Sequence, residues 1–479
     1  MDPRTRPRPR TRPRALLARS APAVAALLLL AGCSGAGGVD GTPGSAGLRD
    51  PYFPKLGNGG YDVQHYALKL AYDPKTRRLD ATAEITATAT QNLSAFNLDL
   101  SGLTVRDAAV DGARAAVSRA GKELTVRPRD EIDKDAVFRT TVAYSGVPET
   151  ITDPDGSEEG WLPTADGALA VGEPTGSMAW FPGNHHPSDK ATYEITLTVP
   201  AGLKALSNGR LVSERTEKGR TTAVWSAPEP MASYVATVAI GRYTTGTAKV
   251  RAGTAADVPV LTAVDPSAAD AETAALAARV PEILDWQAEN FGPYPFSAAG
   301  AIVERPGDLG YALETQTRPL FPRTAFDTPT LVHELAHQWY GDSVTPKSWR
   351  DMWLNEGFAT YAEWLYAEDF EDTPAQESFD EAFDDDSNWA FPPADPPSAE
   401  NISDAPVYGR GAMVLHKLRQ TVGDETFYEI LRGWPAKYRY ANASTDDFTA
   451  YAESVAGEDL DEVWDVWLYG NGRPTDPEG

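Results

Sequence analysis

Apolar residues recur at every second position through much of the first half of the chain. The clearest runs are Leu68, Leu70 and Tyr72; Ala83, Ile85, Ala87 and Ala89; Phe96, Leu98 and Leu100; Tyr193, Ile195, Leu197 and Val199; and Tyr234, Ala236, Val238 and Ile240. A period of two places the apolar side chains of a strand on one face, and turn residues separate the runs. The pattern from about Tyr52 to Tyr243 therefore predicts an antiparallel β domain.

The pattern changes after Tyr243. One more short apolar strand, residues 258–264, precedes an Ala-rich stretch, residues 268–290, which predicts a helix that Pro281 kinks or splits in two. Residues 301–304 are typical of an edge strand. The second half of the chain is therefore predicted to be mainly helical.

The length of the chain predicts more than one domain. A single hydrophobic core rarely grows beyond about 250 to 300 residues, and the chain has 479. The change of pattern indicates a β domain over residues 48–245 and a second domain over residues 246–479. Residues 34–47, which are rich in Gly with Ser and Pro, are typical of a flexible tether.

Residues 1–33 are typical of a targeting signal rather than of a folded element. Seven Arg interleaved with Pro precede an apolar run, residues 23–30, which is far shorter than the roughly 20 residues of a membrane span. The run leads into Leu-Ala-Gly-Cys33, which resembles the lipobox of bacterial lipoproteins, whose Cys is acylated. Cys33 is also the only cysteine. We expect an extracytoplasmic, lipid-anchored protein of a bacterial cell membrane, and an ordinary secretory signal cleaved nearby is the alternative.

The net charge of −26 excludes one class of partner. Residues 1–32 hold seven Arg and one Asp, so the remainder of the chain is more acidic still. Such a surface repels nucleic acid and anionic lipid headgroups. We therefore expect no nucleic-acid partner, and contact with the membrane only through the anchor on Cys33.

Residues 331–342 read Leu-Val-His-Glu-Leu-Ala-His-Gln-Trp-Tyr-Gly-Asp. On a helix, His333 and His337 project from the same face, where two imidazoles can hold one metal ion. Glu356 is available as a third ligand near the start of a second predicted helix, residues 354–370. Two His and one Glu leave a fourth position for water, which is typical of a catalytic zinc site. The prediction is one Zn²⁺ per chain, and the alternative is a pair of surface histidines on an amphipathic helix.

The His-Glu-x-x-His motif, with a Glu in Asn-Glu-Gly-Phe-Ala after 18 intervening residues, resembles the aminopeptidase N and leukotriene-epoxide hydrolase family of zinc gluzincin metallopeptidases. The resemblance implies a saddle-like, antiparallel β domain followed by a thermolysin-like, mainly α catalytic domain with a small sheet. Glu334 is placed to take a proton from water and to hand it to the leaving amine. Asp351 and Glu363, on either side of the Glu ligand, are candidate partners for the ligating imidazoles; the alternative for each is a surface carboxylate or a charge at a helix N-terminus.

Three further residues match functional positions of the family. Glu173 lies in Val-Gly-Glu-Pro-Thr, which resembles the segment whose Glu reaches the active site. Glu314 aligns with the Glu of the family's Gly-Ala-Met-Glu-Asn, although Tyr311 and Thr315 replace its Gly and Asn. Tyr408 matches the Tyr whose hydroxyl points at the metal-bound substrate. The resemblance therefore implies that Glu173 and Glu314 bind a free α-amine and that Tyr408 donates to the oxyanion.

Together these features predict a zinc-dependent aminopeptidase that hydrolyses the N-terminal bond of peptide substrates. Three other interpretations remain open. A thermolysin-like endopeptidase keeps the zinc motif but has no use for carboxylates that bind an α-amine. An epoxide hydrolase uses the same metal on a lipid. A non-catalytic peptide-binding lipoprotein needs neither the general base nor the tyrosine.

Overall fold

The computed structural model describes residues 40–475. The predicted signal and lipobox, with Cys33, lie outside the described residues. The end of the predicted tether is not free, because the N–H of Thr42 donates to the carbonyl of Asn92 at 3.0 Å and the N–H of Gly44 to that of Ala95 at 2.8 Å. Backbone pairing with a neighbouring strand needs no apolar side chains, which is why the Gly-rich composition did not reveal it.

Strands dominate the described part of the chain up to about residue 264. In chain order they are β1 (Thr42–Pro43), β2 (Tyr61–Asp73), β3 (Arg78–Ala89), β4 (Leu93–Asp99), β5 (Thr104–Val110), β6 (Ala113–Arg114), β7 (Ala116–Ala120), β8 (Glu123–Arg127), β9 (Val137–Gly146), β10 (Thr150–Thr152), β11 (Glu158–Pro163), β12 (Ala168–Val171), β13 (Lys190–Pro200), β14 (Lys204–Ser207), β15 (Arg210–Glu217), β16 (Arg220–Ala232), β17 (Val238–Gly241), β18 (Thr244–Val250) and β19 (Val258–Val264).

Three sheets use the first seventeen strands. The largest has the order β15-β16-β13-β2-β3-β9-β5-β6, and the others are β10-β11-β12-β17-β14 and β1-β4-β8-β7. Neighbouring strands are antiparallel except for the pairs β1/β4 and β2/β13. The alternating apolar residues face the core as expected, since Leu68, Leu70 and Tyr72 of β2 are 1%, 3% and 1% exposed. The predicted antiparallel β fold is therefore confirmed.

Helices prevail after β19. The remaining strands are β20 (Ala299–Glu304), β21 (Leu320–Pro322), β22 (Thr345–Pro346) and β23 (Asn442–Ala443), and the helices are α1 (Ala271–Ala277), α2 (Val280–Phe291), α3 (Thr328–Ala336), α4 (Trp353–Phe370), α5 (Ala375–Asp384), α6 (Gly411–Lys437), α7 (Thr445–Ala456) and α8 (Asp461–Val463). Pro281 lies in the first turn of α2, so it splits the predicted helix into α1 and α2. A proline is tolerated there because the first helical N–H groups have no intrahelical acceptor.

The prediction that residues 301–304 form an edge strand is wrong. Strand β20 lies inside a four-stranded sheet of order β18-β19-β20-β21, with parallel partners on both sides. The sequence concealed β21 because its short apolar run is flanked by prolines, which usually indicate a loop. An interior position buries both faces of β20, and all six of its residues are buried.

Asp50 ties the start of the described chain to the helical half. Its carboxylate accepts the N–H groups of Tyr52 and Phe53 at 2.9 and 3.1 Å. It also accepts the hydroxyl of Ser348 at 2.7 Å and the N–H of Trp349 at 3.1 Å. Asp50 itself is only 5% exposed, so removing its carboxylate would leave several buried donors without an acceptor.

We expect Asp50→Ala to lower the free energy of unfolding by about 2 to 3 kcal/mol, the usual penalty for unpaired buried donors. Burial raises the pKa of Asp50, but hydrogen bonds from His186, Ser348 and two backbone amides outweigh it and lower that pKa from 3.8 to about 2. A folded-state pKa below the unfolded one stabilises the fold above about pH 4, and the contribution disappears as pH falls toward 2.

Urea unfolding at pH 7 and at pH 3 measures both effects. The matched control is Asp130→Ala, because the side chain of Asp130 is 84% exposed. The difference between the Asp50 variant and the parent should shrink at pH 3. A difference that is equal at both pH values, or no larger than that of the control, would show that the Asp50 contacts do not stabilise the fold.

Candidate metal centre and active site

Two helices bring the predicted metal ligands together. The Asp327 carboxylate caps α3 by accepting the N–H of Thr330 at 2.9 Å, which sets the start of the helix. The helix ends one residue before His337, which keeps right-handed helical backbone angles, so His333 and His337 share a face with ring centroids 4.7 Å apart. Helix α4 supplies Glu356 from its first turn.

The two measured separations among the three ligand atoms match those of a zinc site. Oε2 of Glu356 lies 3.1 Å from Nε2 of His333 and 3.3 Å from Nε2 of His337. Zinc bonds of about 2.0 to 2.1 Å in a tetrahedron place neighbouring ligand atoms about 3.3 to 3.4 Å apart. The residues therefore fit zinc, and three protein ligands leave the fourth position for a water or a substrate atom.

Each ligating imidazole has an acceptor behind it. Nδ1 of His333 lies 2.7 Å from Oε1 of Glu363, and Nδ1 of His337 donates to the carbonyl of Tyr340 at 3.0 Å. These contacts place the ring proton on Nδ1 and leave the Nε2 lone pair for the metal. The prediction for Glu363 agrees with this geometry.

The prediction that Asp351 also supports an imidazole is wrong. Its Oδ1 accepts the N–H and the hydroxyl of Thr445 at 2.9 and 2.8 Å. Thr445 is the first residue of α7, so Asp351 binds the start of that helix instead of the metal site. Asp351 lies in a turn that precedes α4, and the sequence could not show which way that turn directs its side chain.

A cavity of about 520 Å³ opens over the three ligands. It is also lined by the four other residues predicted for the site, which are Glu173, Glu314, Glu334 and Tyr408. None of the described residues that line it is a Lys or an Arg. The predicted site residues, taken from positions 173 to 408, therefore share one negatively charged cavity.

Glu334 is placed for proton transfer. It is 6% exposed, and its buried Oε2 has no hydrogen-bond partner in the described chain. Burial raises the pKa of Glu334 to about 8 in the metal-free protein, against the opposing charges of His333 and His337. Glu334 lines the same cavity as His333 and His337, the two candidate metal ligands on either side of it in the sequence.

Tyr408 lies in a wide helical turn, Pro406–Arg410, that precedes α6. Its ring stacks on the imidazole of His333, with centroids 6.0 Å apart and an interplanar angle of 15°. Burial raises the pKa of its hydroxyl well above the usual value, so the group stays protonated and can donate. Arg410 anchors this turn through the carbonyls of Trp467 and Val466, at 2.9 and 3.1 Å, a role that the sequence analysis missed.

Comparison with known proteins identifies the family. The peptidase M1 N-terminal domain matches residues 62–235, and the peptidase family M1 domain matches residues 324–467. A solved two-domain M1 zinc metallopeptidase, a Glu-to-Ala variant bound to L-arginine, is 31% identical, with a TM-score of 0.85 over 90% of this chain and 99% of that one. The chain belongs to peptidase family M1. This finding confirms the predicted resemblance, the fold class and zinc as the metal.

Other M1 proteins show comparable similarity. A zinc metallopeptidase variant from Deinococcus radiodurans, bound to a Tyr-Ser-Ala substrate, is 30% identical, with a TM-score of 0.85 over 90% of this chain and 99% of that one. Aminopeptidase M1-A of Oryza sativa subsp. japonica is 32% identical over 64% of this chain and 37% of its own length. Glutamyl aminopeptidase of Mus musculus is 28% identical over 71% of this chain and 38% of its own length. This chain thus spans less than two fifths of these two relatives.

In this M1 chain, the two carboxylates predicted to bind an amine meet beside the metal ligands. One oxygen each of Glu173, Glu314 and Glu356 lies within 4.8 Å of the others. Burial raises the pKa of both Glu173 and Glu314, and the negative charge of Glu314 adds to the rise at Glu173. Oε1 of each has no hydrogen-bond partner in the described chain. Such a pair is stabilised either by taking up a proton or by binding a cation.

Gln338 is a residue of this M1 site that the sequence analysis missed. Its Nε2 donates to the carbonyl of Glu314 at 3.2 Å, and its Oε1 accepts the N–H of Thr317 at 2.6 Å. The side chain, which is fully buried, thus holds the Glu314 loop to the end of α3. In the sequence, only its position directly after the predicted ligand His337 could have indicated that Gln338 belongs to the site.

The departures from the family motif around Glu314 have visible consequences. Tyr311 lines the cavity, and its hydroxyl donates to the carbonyl of Glu158 at 3.3 Å. Thr315 is fully buried, and its hydroxyl donates to the carbonyl of Arg318 at 2.6 Å. The Tyr311 side chain therefore forms part of the cavity wall, whereas the Thr315 hydroxyl bridges the loop that follows Glu314.

Proposed function

We propose that this chain is a zinc-dependent aminopeptidase that removes the N-terminal residue of peptides. The observation that carries the proposal is the pair of unpartnered, buried carboxylate oxygens of Glu173 and Glu314 beside the metal ligands. A peptide's α-ammonium group supplies the missing cation and the missing donors. The solved M1 metallopeptidases bound to L-arginine and to a Tyr-Ser-Ala substrate support the same assignment.

The position of these carboxylates limits where the substrate can be cut. A substrate whose α-amine lies between Glu173 and Glu314 has its first peptide bond over the ligand triad, because all of these groups line one cavity. A chain that continued past the amine would place an uncharged amide against two buried carboxylates. That arrangement leaves charge uncompensated and is unfavourable.

The remaining side chains divide the hydrolysis between them. His333, His337 and Glu356 would hold the zinc ion, which would supply a Lewis acid and lower the pKa of a bound water. Glu334 takes the proton from the attacking water and passes it to the leaving amine, because its side chain lines the same cavity as the three ligands. The protonated hydroxyl of Tyr408 donates to the oxygen that becomes negatively charged.

A panel of aminoacyl and N-acetyl-aminoacyl fluorogenic substrates tests this proposal. We expect the acetylated member of each pair to be cleaved at least about tenfold less well, because acetylation removes the charge that the carboxylates bind. Glu314→Ala should remove most of that preference, with Glu194→Ala, an exposed carboxylate on β13, as the control. Efficient cleavage of N-blocked peptides at internal bonds would instead support a thermolysin-like endopeptidase.

We further propose that Cys33 is acylated and anchors the protein to the outer face of a bacterial cell membrane. The proposal rests on the Leu-Ala-Gly-Cys sequence alone, since Cys33 lies outside the described residues. Among residues 40–475, no helix is both long and apolar enough to cross a membrane. The lipid would therefore be the membrane attachment in this proposal.

Detergent-phase partitioning of the expressed full-length chain tests the anchor. We expect the parent protein and the Ser34→Ala control to enter the detergent phase, and Cys33→Ser to remain unprocessed or to be released into the aqueous phase. Mass spectrometry of the mature N-terminus identifies the acyl group. A water-soluble mature protein that begins at another residue would refute the lipid anchor and favour an ordinary secretory signal.

A further inference from the structure

Glu159 is a buried carboxylate outside the catalytic cavity whose hydrogen bonds all go to one short turn. It lies on β11 and is fully buried. Its Oε2 accepts the N–H groups of Thr175 and Gly176, both at 2.8 Å, and its Oε1 accepts the hydroxyl of Thr175. Among the described residues, Glu159 has no ion-pair partner. These three donors therefore offset the free-energy cost of burying its carboxylate.

The turn that Glu159 binds is the one that carries Glu173. Pro174 has no N–H, so the first two backbone donors after Glu173 are those of Thr175 and Gly176, and Glu159 takes both. The N–H of Gly176 also lies 2.9 Å from the carbonyl of Gly172, which closes the turn on its other side. Glu173 therefore lies in a turn whose last residues, Thr175 and Gly176, are hydrogen-bonded to β11.

Close packing leaves this turn little freedom to move toward β11. A Cβ atom on Gly176 would lie 2.1 Å from the carbonyl oxygen of Val171 and 2.5 Å from the backbone nitrogen of Gly160. A Cβ atom on Gly172 would lie 2.2 Å from the carbonyl oxygen of Tyr234. Real Cβ atoms do not approach so closely, so only glycine fits at both positions.

Glu173 needs such an anchor because its own side chain has none. Its Oε1 is buried without a partner, and the carboxylates of Glu314, Glu356 and Glu334 each repel it more strongly than that of Glu159 does. In the absence of a substrate, that repulsion favours any movement of Glu173 away from the metal ligands. Because Glu159 holds the backbone of the turn, the carboxylate of Glu173 stays at a fixed distance from that of Glu314. An α-ammonium group can then bind both carboxylates.

We propose that Glu159 is a positioning residue that fixes Glu173 at the distance from the metal ligands which selects a free α-amine. The proposal rests on the proposed aminopeptidase function, because it gives Glu173 that role. Glu159 acts as a hydrogen-bond acceptor and touches no substrate. Its contribution therefore lies in substrate binding and in the preference for a free amine, and the proton transfer by Glu334 does not depend on it.

The conservative variant separates hydrogen bonding from charge. In Glu159→Gln the amide oxygen can replace Oε2 and accept both N–H groups, while the amide nitrogen can donate to the hydroxyl of Thr175. We expect Glu159→Gln to keep the KM for an aminoacyl substrate within threefold of the parent. Glu159→Ala should raise that KM at least tenfold, change kcat less than threefold and leave the bound zinc unchanged.

A double-mutant cycle shows whether Glu159 acts through Glu173. Glu159→Ala should lower kcat/KM at least tenfold in the parent and less than threefold in a Glu173→Ala background, because no carboxylate remains there to position. The matched control is Glu158→Ala, because Glu158 is an exposed residue next to Glu159 on β11. This control should leave KM and kcat unchanged. Equal losses in the two backgrounds, or the same loss in the control, would overturn the proposal in favour of a general structural role.

Hydrogen–deuterium exchange tests the anchor without any measurement of activity. The only acceptor of the Thr175 N–H in the described chain is Glu159, so this amide should be protected in the parent and in Glu159→Gln and should exchange at least tenfold faster in Glu159→Ala. Unchanged exchange would overturn the proposal even in an active enzyme. If the parent cleaves N-blocked peptides internally, the aminopeptidase function fails, while the exchange result still decides whether Glu159 holds the turn.

Discussion

Glu334→Gln is expected to lower kcat by about 10²- to 10⁴-fold while the protein keeps its zinc. The amide preserves the shape of the side chain, but it cannot accept the proton of the attacking water. Glu334 is not needed to hold the metal, because His333, His337 and Glu356 already bring three ligand atoms within 4.8 Å of one another. Steady-state kinetics with an aminoacyl substrate, together with elemental analysis of bound zinc, measures both quantities.

The control for Glu334→Gln is the same Glu-to-Gln substitution at a position outside the cavity. Glu194→Gln on β13 is exposed and lies outside the cavity, so it should leave kcat and zinc unaffected. Near-parental kcat in Glu334→Gln with stoichiometric zinc would show that another group accepts the proton. A loss of zinc in that variant would show instead that Glu334 helps to hold the metal.

His337→Ala is expected to reduce both bound zinc and activity, and so to behave differently from Glu334→Gln. It removes one of three ligands and leaves the carbonyl of Tyr340 without its donor. Loss of an outer hydrogen bond alone typically costs about 10- to 100-fold in metal affinity, so loss of the ligand itself should exceed that. Titration of the metal-free protein with zinc against a competing chelator gives the affinity directly.

His65→Ala is the matched control for the metal experiment. His65 lies on β2, where its Nδ1 is 2.7 Å from the hydroxyl of Thr192, and it takes no part in the metal cavity. We expect this variant to bind zinc as the parent does, and a chelator to abolish the activity of both. If His337→Ala bound zinc with parental affinity, the assignment of His337 as a ligand would be wrong.

The electrostatics of the cavity connect these predictions to substrate choice. Carboxylates line it and no Lys or Arg does so among the described residues, so in the metal-free protein the opposing charge comes from His333 and His337, whose pKa values neighbouring carboxylates raise. In the proposed function, a bound zinc ion and a substrate ammonium group would balance the carboxylates. Loss of the metal should therefore weaken the binding of a substrate's carbonyl but not the attraction for its amine. A free amino acid remains a suitable probe of the amine site in metal-free protein.

Local sequence determined the parts of this protein whose residues are close in the chain. The two His ligands follow from the spacing of four on one helix, and the β fold follows from alternation, because helices and strands have fixed periods. The break at Pro281 was predictable for the same reason, since a proline acts on its own turn. The family resemblance extended these local signals to Glu173, Glu314 and Tyr408 by motif.

Tertiary structure alone decided which distant residues support those motifs. Asp50 binds Ser348 and Trp349, about 300 positions away, and β20 is an interior strand only because β21 pairs beside it. Asp351 and Glu363 were equivalent candidates in sequence, yet only Glu363 contacts an imidazole. Side-chain direction after a turn is set by long-range packing, and no local period encodes it.

Glu159 and Gln338 show, within the active site, the same difference between what the sequence reveals and what only the fold decides. Neither residue differs in sequence from an ordinary strand carboxylate or helix-end amide, and no motif singled them out. The fold brings Glu159 to the turn of Glu173 and Gln338 to the loop of Glu314. The sequence by itself thus determined the metal ligands and the base, which α3, the residue after it and the first turn of α4 supply. Only the folded chain decided the positions of Glu173 and Glu314, the carboxylates proposed to bind the amine, because buried hydrogen bonds between separate elements hold the loops that carry them.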